Sequence, residues 1–231
     1  MAPTPSPADA AVPVEIPTEA APIAGRWWCP PDARALYVLG HGAGAGMHHP
    51  FMVALAAALA ARGVATLRWE MPAMTAGKRL ADRPAVVRPL ARAAVRYGAT
   101  LAPLPLVAGG KSMGGRMTSE AHAAAPIPGL RGLAFVGFPL HPAGAPATAR
   151  ADHLRTIAEP MLFVNGDRDK LATPSLLAGV VAALGPRAQL HSIAGADHGL
   201  AVPRAAGVDP VEVTAAAIAA WAGALPAPAV P

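Results

Sequence analysis

Short apolar runs bounded by glycine recur along the chain. Clear examples are ALYVLG at 35–40, GLAFVGF at 132–138 and MLFVNG at 161–166. Runs of this length without polar alternation are typical of strands buried on both faces of a parallel sheet. The same pattern predicts six strands in all, at 35–40, 64–70, 104–109, 132–138, 161–166 and 188–195.

Segments with apolar residues at helical spacing lie between these runs. Pro50 begins one of them, because Met52, Leu55 and Leu59 then share one helical face. Further helices are predicted over 81–98 with a bend at Pro89, over 116–125, over 174–184 between Thr173 and Gly185, and after Asp209. The alternation of strands and helices predicts an α/β fold with a mostly parallel central sheet flanked by helices.

The two ends of the chain are rich in proline and alanine. Residues 1–20 are therefore expected to form a disordered tail, 21–226 a single α/β domain, and 227–231 a frayed end. The first residues lack the basic and apolar regions of a secretory signal. With a single cysteine there is no internal disulfide, and no apolar run is long enough to span a membrane. These features predict a cytoplasmic protein with no membrane partner.

The charge of the chain adds little to this picture. Its 231 residues carry a formal net charge of +5, but only 14% of them are charged. The basic residues form no dense run and do not alternate with aromatic ones, as they do in many nucleic-acid-binding proteins. A nucleic-acid partner is not expected.

The stretch GGKSMGG at 109–115 admits two interpretations. Read as the end of a phosphate-binding loop, it requires glycine at position 105, which is Pro105 here. Read as G-x-S-x-G, it is a nucleophile elbow with Gly110 and Gly114 on either side of Ser112. A predicted strand precedes it and a predicted helix follows it, which favours the elbow.

A nucleophilic serine needs a base, and the base needs an acid that orients it. In this arrangement the acid and then the histidine follow later strands. His198 follows the last predicted strand, while Asp167 and Asp169 follow the strand at 161–166. We predict Ser112, Asp169 and His198 as the catalytic residues, with Asp167 as the alternative acid.

An oxyanion hole needs two backbone N–H groups. Met113, directly after the nucleophile, is predicted to supply one of them, and Ala43 in the glycine-rich loop after the first buried strand the other. Gly42 and Gly44 are expected to shape that loop.

The same glycine-rich loop supports a rival interpretation. Gly40, Gly42 and Ala45 fit the spacing of a dinucleotide-binding turn, and Glu70 ends the next strand where a ribose-binding acid is expected. That interpretation leaves the serine, aspartate and histidine without a role.

Taken together, these segments resemble the α/β-hydrolase superfamily. They are GHGAGAGMHHPFM (40–52), GGKSMGGRM (109–117), GFPLHPAG (137–144), NGDRDKL (165–171) and GADHGL (195–200). The resemblance covers roughly residues 33–222. It is closest to the hydrolase-like family that includes a testis-expressed protein and a subunit of the NSL histone-acetylation complex, with dienelactone hydrolases as more distant relatives. It implies the hydrolase fold with the three predicted residues in the triad positions.

These observations predict a serine hydrolase acting on a small acyl substrate, an ester, thioester or lactone, without metal or organic cofactor. The interval 140–160 is too short for a sizeable lid, so an open site is expected. Lys111, Arg116 and Arg79 are candidates to surround the site and favour an acidic substrate. A non-catalytic scaffold on the same fold is the alternative, and the oligomeric state is left open.

Overall fold

The computed structural model describes residues 10–78, 82–203, 205 and 207–225. Its strands form one eight-stranded sheet with the order β1-β2-β4-β3-β5-β6-β7-β8. Only the β1–β2 and β2–β4 pairs are antiparallel. The strands are β1 (Val12–Ile16), β2 (Ile23–Trp28), β3 (Ala35–Gly40), β4 (Val64–Trp69), β5 (Leu106–Lys111), β6 (Leu130–Val136), β7 (Met161–Gly166) and β8 (Ala188–Ile193).

Helices connect the parallel strands. They are α1 (Pro50–Ala60), α2 (Pro72–Thr75), α3 (Pro84–Leu101), α4 (Met113–Ala124), α5 (Pro174–Leu184) and α6 (Pro210–Gly223), with 3-10 segments at Ala149–Thr156 and Gly185–Arg187. Proline stands at the beginning of five of the six helices, where its missing N–H costs no hydrogen bond. The predicted α/β fold is confirmed. Among the described residues, no helix is both long and apolar enough to cross a membrane.

The predicted disordered tail over residues 1–20 is wrong for its second half. Residues 12–16 form β1, which pairs antiparallel with β2 at the edge of the sheet. Pro13 is tolerated there because an edge strand leaves one side of its backbone unpaired. Residues 1–9, and the predicted frayed end at 227–231, lie outside the described residues.

All six predicted strands are present, although several ends differ. β5 reaches Lys111 rather than ending at residue 109, and α4 begins directly after Ser112 rather than at residue 116. Asp209 caps α6 as predicted, since its carboxylate accepts the N–H of Val211 at 2.8 Å. The Thr173 side chain makes no such bond to α5 and contacts His141 instead, with Oγ1 at 2.9 Å from Nε2.

The core lies on both faces of the sheet. On one face α3 and α4 pack against each other and cover the central strands. On the other face α1 packs against α6, and Arg62, in the turn after α1, pairs with Glu212 of α6 at 2.7 Å. The buried Tyr37 hydroxyl donates to the Ala134 carbonyl at 2.8 Å and links β3 to β6 within this second layer. Burial raises the pKa of this phenol.

This topology gathers the predicted site residues at one edge of the sheet. Parallel strands end at the same edge, so the segments after β3, β5, β7 and β8 converge there. These segments carry, in turn, the glycine-rich loop, Ser112, the two candidate acids and His198. The candidate chemistry therefore depends on how four separate connections meet.

Candidate active site

Ser112 occupies a sharp turn between β5 and α4. Its backbone has φ 49° and ψ −113°, a left-handed conformation that is rare for a residue with a side chain. The turn is held by a hydrogen bond from the Ser112 N–H to the Val136 carbonyl at 2.9 Å, and by one from the Arg116 N–H to the Ser112 carbonyl at 3.1 Å. Strain of this kind survives only where the surrounding structure fixes it, and it is concentrated at functional sites.

The glycines around Ser112 are required by close backbone contacts. A Cβ atom on Gly110 would lie 2.1 Å from the Gly40 carbonyl oxygen, and one on Gly114 would lie 2.4 Å from the same oxygen. Both distances are far below van der Waals contact. Only glycine at these two positions lets the elbow pack against the end of β3.

A chain of hydrogen bonds joins Ser112, His198 and Asp169. Ser112 Oγ lies 2.9 Å from His198 Nε2, and His198 Nδ1 lies 2.8 Å from Asp169 Oδ2. The Asp169 side chain is fully buried, whereas 25% of the His198 side chain is exposed. The distances allow the histidine to accept the serine proton at one nitrogen while the other nitrogen donates to the carboxylate.

Asp169 and Asp167 have different surroundings. Asp169 is held by the Leu171 N–H at 2.7 Å and by the Asn165 side-chain amide at 3.3 Å. Asp167 is exposed, and its carboxylate accepts the N–H of Gly195 at 2.7 Å. The structure thus brings Asp169, not Asp167, to the histidine. Sequence reasoning did not identify Asn165, which donates to this acid from the end of β7.

The glycine-rich loop passes beside the serine. A Cβ atom on Gly42 would lie 3.6 Å from Ser112 Cβ. The loop then turns through Ala43 and Gly44, and the turn is closed by a bond from the Ala45 N–H to the Gly42 carbonyl at 3.3 Å. Gly44 has φ +72°, as the turn requires.

The N–H groups of Ala43 and Met113 make no hydrogen bond within the described part of the chain. The Met113 N–H opens α4, where the helix dipole favours negative charge. Among the residues described, neither of the two predicted oxyanion donors is committed to a backbone partner.

A buried polar network holds the glycine-rich loop on its inner side. Met71 N–H donates to His41 Nε2 at 3.0 Å, and the His41 ring contacts the Gly42 carbonyl through Nδ1 at 2.7 Å. The Glu70 carboxylate accepts the Met47 N–H at 3.2 Å and lies 2.8 Å from His41 Nε2. The dinucleotide interpretation needed Glu70 to face a ribose, but here that side chain is turned into the protein.

The basic residues near the elbow do not form a simple ring around the site. Arg116 pairs with Glu120 at 2.8 Å on α4, and burial lowers its pKa. Lys111 is turned inward, and its ammonium group donates to the His198 carbonyl. Arg79 lies outside the described residues.

A large groove lies elsewhere on the molecule. It has a volume of about 840 Å³ and runs between the β1–β2 turn and α3. None of its lining residues belongs to the hydrogen-bonded chain around Ser112. Within the described ranges, no group of three or more His, Cys, Asp or Glu side chains is placed to hold a metal ion.

Comparison with known proteins places the chain among related folds. A sequence profile described as an alpha/beta hydrolase domain matches residues 33–225. The structure resembles a dienelactone hydrolase from Anabaena variabilis with a TM-score of 0.73 and 19% identity, covering 91% of this chain and 95% of that one. It resembles an esterase domain from Rhodothermus marinus with a TM-score of 0.72 and 19% identity, covering 93% and 98% of the two chains. A Xanthomonas campestris protein described as a serine hydrolase without a lid gives a TM-score of 0.69 at 18% identity, covering 99% of each chain.

Proposed function

Because the chain belongs to the alpha/beta hydrolase family, we propose that it is a serine hydrolase cleaving an ester, thioester or lactone of a small substrate. The predicted superfamily is confirmed, whereas the narrower likeness to the family with the testis-expressed protein stays a prediction. The observation that carries the proposal is the continuous hydrogen-bonded chain from Ser112 through His198 to Asp169.

In the proposed reaction, Ser112 Oγ attacks the carbonyl carbon of the substrate. His198 Nε2 accepts the serine proton as the new C–O bond forms, and Asp169 stabilises the resulting imidazolium. The proton then passes from His198 to the leaving alcohol or thiol, and the acyl group stays on Ser112. A water molecule then gives a proton to His198 Nε2 and attacks the acyl carbon. The bond between that carbon and Ser112 Oγ breaks, the proton passes from His198 to Oγ, and the acid is released.

The negative charge on the carbonyl oxygen needs stabilisation during both steps. The N–H groups of Ala43 and Met113 make no hydrogen bond among the residues that the structure describes, which supports their assignment to the oxyanion hole. Loss of one such donor typically slows catalysis by about 10²–10³-fold. The hydrogen bonds that Glu70 and His41 make with the neighbouring backbone would fix the glycine-rich loop and, with it, the position of the Ala43 N–H.

Two kinds of observation support the proposed substrate class. The names of two similar structures, a dienelactone hydrolase and an esterase domain, support an ester or lactone bond. The interval between β6 and β7, where a lid would be inserted, covers only residues 137–160 and includes the exposed loop at 142–148 and the 3-10 segment Ala149–Thr156. An open site of this kind favours short or exposed acyl groups.

The proposal is tested by hydrolysis of p-nitrophenyl acetate and thioacetate analogues. The wild-type protein should cleave at least one of them, and Ser112→Ala should not. Ser175→Ala, an exposed serine on α5, is the matched control and should keep the wild-type rate. Hydrolysis that persists in Ser112→Ala would contradict the proposed nucleophile.

A further inference from the structure

Lys111 lies at the junction of three of the loops that form the candidate site. It is the residue directly before Ser112, at the end of β5. Its stem packs against the glycine-rich loop, since a Cβ atom on Gly42 would lie 3.6 Å from Lys111 Cγ. Its ammonium group reaches the opposite side of the site and donates to the carbonyl of His198 itself.

The third contact is with the segment after β6. A Cβ atom on Gly137 would lie 2.8 Å from Lys111 Nζ, 3.2 Å from the His198 carbonyl oxygen and 3.7 Å from His198 Cε1. The glycine, at φ +64°, leaves the space in which the ammonium group meets the histidine loop. A larger residue at position 137 would push both groups apart.

The charges around this ammonium group come from the two loops that carry the histidine and its acid. Asp169 after β7 and Asp197 after β8 both favour the charged lysine. Burial acts in the opposite direction and is the larger effect, lowering the pKa of Lys111 to about 8. At position 111, an apolar side chain of the same length would therefore cost less free energy to bury than the charged lysine does.

We infer that Lys111 is a positioning residue, which fixes the His198 loop against the elbow so that the imidazole stays in line with the Ser112 hydroxyl. This inference rests on the proposed function. It explains why a cation stands in a partly buried position next to the nucleophile: the hydrogen bond from its ammonium group ties the base to the strand that carries the nucleophile. Lys111 acts through His198 and does not touch the reacting atoms.

The test compares Lys111→Met with Lys78→Met, which removes an exposed lysine from the segment after α2. Methionine keeps the length of the stem and removes the charge and the donor. For the hydrolysis of p-nitrophenyl acetate, Lys111→Met should lower kcat about 10- to 100-fold, because small misplacements of catalytic groups cost rates of this order. KM should stay within about twofold, since the inferred role of Lys111 is to hold His198 and not to bind substrate, and Lys78→Met should match the wild type.

Two further measurements separate positioning from a general structural role. The melting temperature of Lys111→Met at pH 7 should equal or exceed that of the wild type, because a buried charge is removed. Amide hydrogen exchange should become faster in residues 194–203, which carry His198, and should stay unchanged in the helices. This exchange pattern is measurable whether or not a substrate has been found.

Each outcome decides between the two proposals. If the wild type shows Ser112-dependent hydrolysis and Lys111→Met shows the same kcat, the positioning role is overturned while the proposed function stands. A lower melting temperature with faster exchange throughout the protein would also overturn it, in favour of a structural role. If the folded wild type shows no Ser112-dependent reaction, the proposed function fails, and the positioning role falls with it.

Discussion

The backbone strain of the elbow lies in a single residue, Ser112. In the described residues only Ser112 and Leu200 have positive φ without being glycine. The G-x-S-x-G spacing was enough to predict this turn from the sequence, because the flanking glycines and the strand before them are readable in the chain. The exact strand end was not readable, since glycines 109 and 110 interrupt the apolar pattern while remaining in β5.

The sequence favoured Asp169 as the acid but left Asp167 open as the alternative. Asp167 and Asp169 stand in one loop, both after β7, and their spacing to His198 is nearly the same. The two aspartates differ in that Asp169 is buried and accepts a hydrogen bond from the Asn165 amide. Both properties depend on the conformation of the folded loop. Replacing the two acids should therefore have different effects on catalysis.

Asp169→Asn should lower kcat for ester hydrolysis by about 10³–10⁴-fold with little change in KM. The amide presents either an oxygen or a donor to His198 and no longer stabilises the imidazolium, as in other enzymes with this arrangement. Asp167→Asn is the matched control. Its exposed side chain can still accept the Gly195 N–H, so its kcat should stay within about threefold of the wild type. Equal losses in the two variants would contradict the assignment of Asp169.

At the scale of elements, the site depends on how closely β3 and α4 approach. The contact is made by backbone atoms of Gly40 and Gly114, and it brings the glycine-rich loop to the serine. From sequence, Gly114 could be predicted as necessary because of its place in the motif. The antiparallel edge strand β1 could not, because VPVEI contains a proline and looks like part of the Pro/Ala-rich tail.

Gly114→Ala should destabilise the protein by about 3 kcal/mol or more, since its Cβ atom would lie 2.4 Å from Gly40 backbone atoms that cannot move aside. Gly179→Ala provides the matched comparison. Gly179 is exposed within α5 and has no atom within 4 Å of its added Cβ, so the change should stabilise the protein by about 0.5–1 kcal/mol. Urea unfolding of the three proteins gives the free energies. A Gly114→Ala protein as stable as the wild type would show that the close approach is not required.

The support of the glycine-rich loop gives a second prediction at this scale. Glu70→Ala should lower the free energy of unfolding by about 1–3 kcal/mol, because the buried Met47 N–H loses its acceptor. It should also lower kcat, since the loop that carries Ala43 is no longer held. Glu19→Ala, an exposed acid in the β1–β2 turn, should change neither quantity. Full activity in a clearly destabilised Glu70→Ala protein would mean that the network supports folding alone.

For the whole molecule, the stability should depend on pH through His153, a half-buried histidine in the 3-10 segment Ala149–Thr156 that contacts α4. Burial and then the nearby Arg116 lower the pKa of His153 to about 4. Its Nε2 lies 2.8 Å from the Ser119 hydroxyl. Because this pKa is lower in the folded protein than in the unfolded chain, where it is about 6.5, the unfolded chain binds the proton first as the pH falls. The contribution of His153 to stability is thus fully present above about pH 6.5 and is lost as the pH falls towards 4.

His153→Gln should therefore reduce the acid sensitivity of the protein. The difference in free energy of unfolding between pH 7 and pH 5 should be smaller in this variant than in the wild type. His191→Gln, an exposed histidine on β8, should leave that difference unchanged. If the wild type and His153→Gln lose equal stability between these two pH values, His153 does not stay neutral in the folded protein.

An activated Ser112 is most directly tested by reaction with a fluorophosphonate probe, located by peptide mass spectrometry in the wild type and in His198→Ala. This reagent reports an assembled nucleophile without requiring knowledge of the substrate. We expect a single adduct on Ser112 that forms much more slowly in His198→Ala. Absence of an adduct on the folded wild-type protein, or equal labelling of the two proteins, would contradict an activated serine and favour a non-catalytic role for this fold.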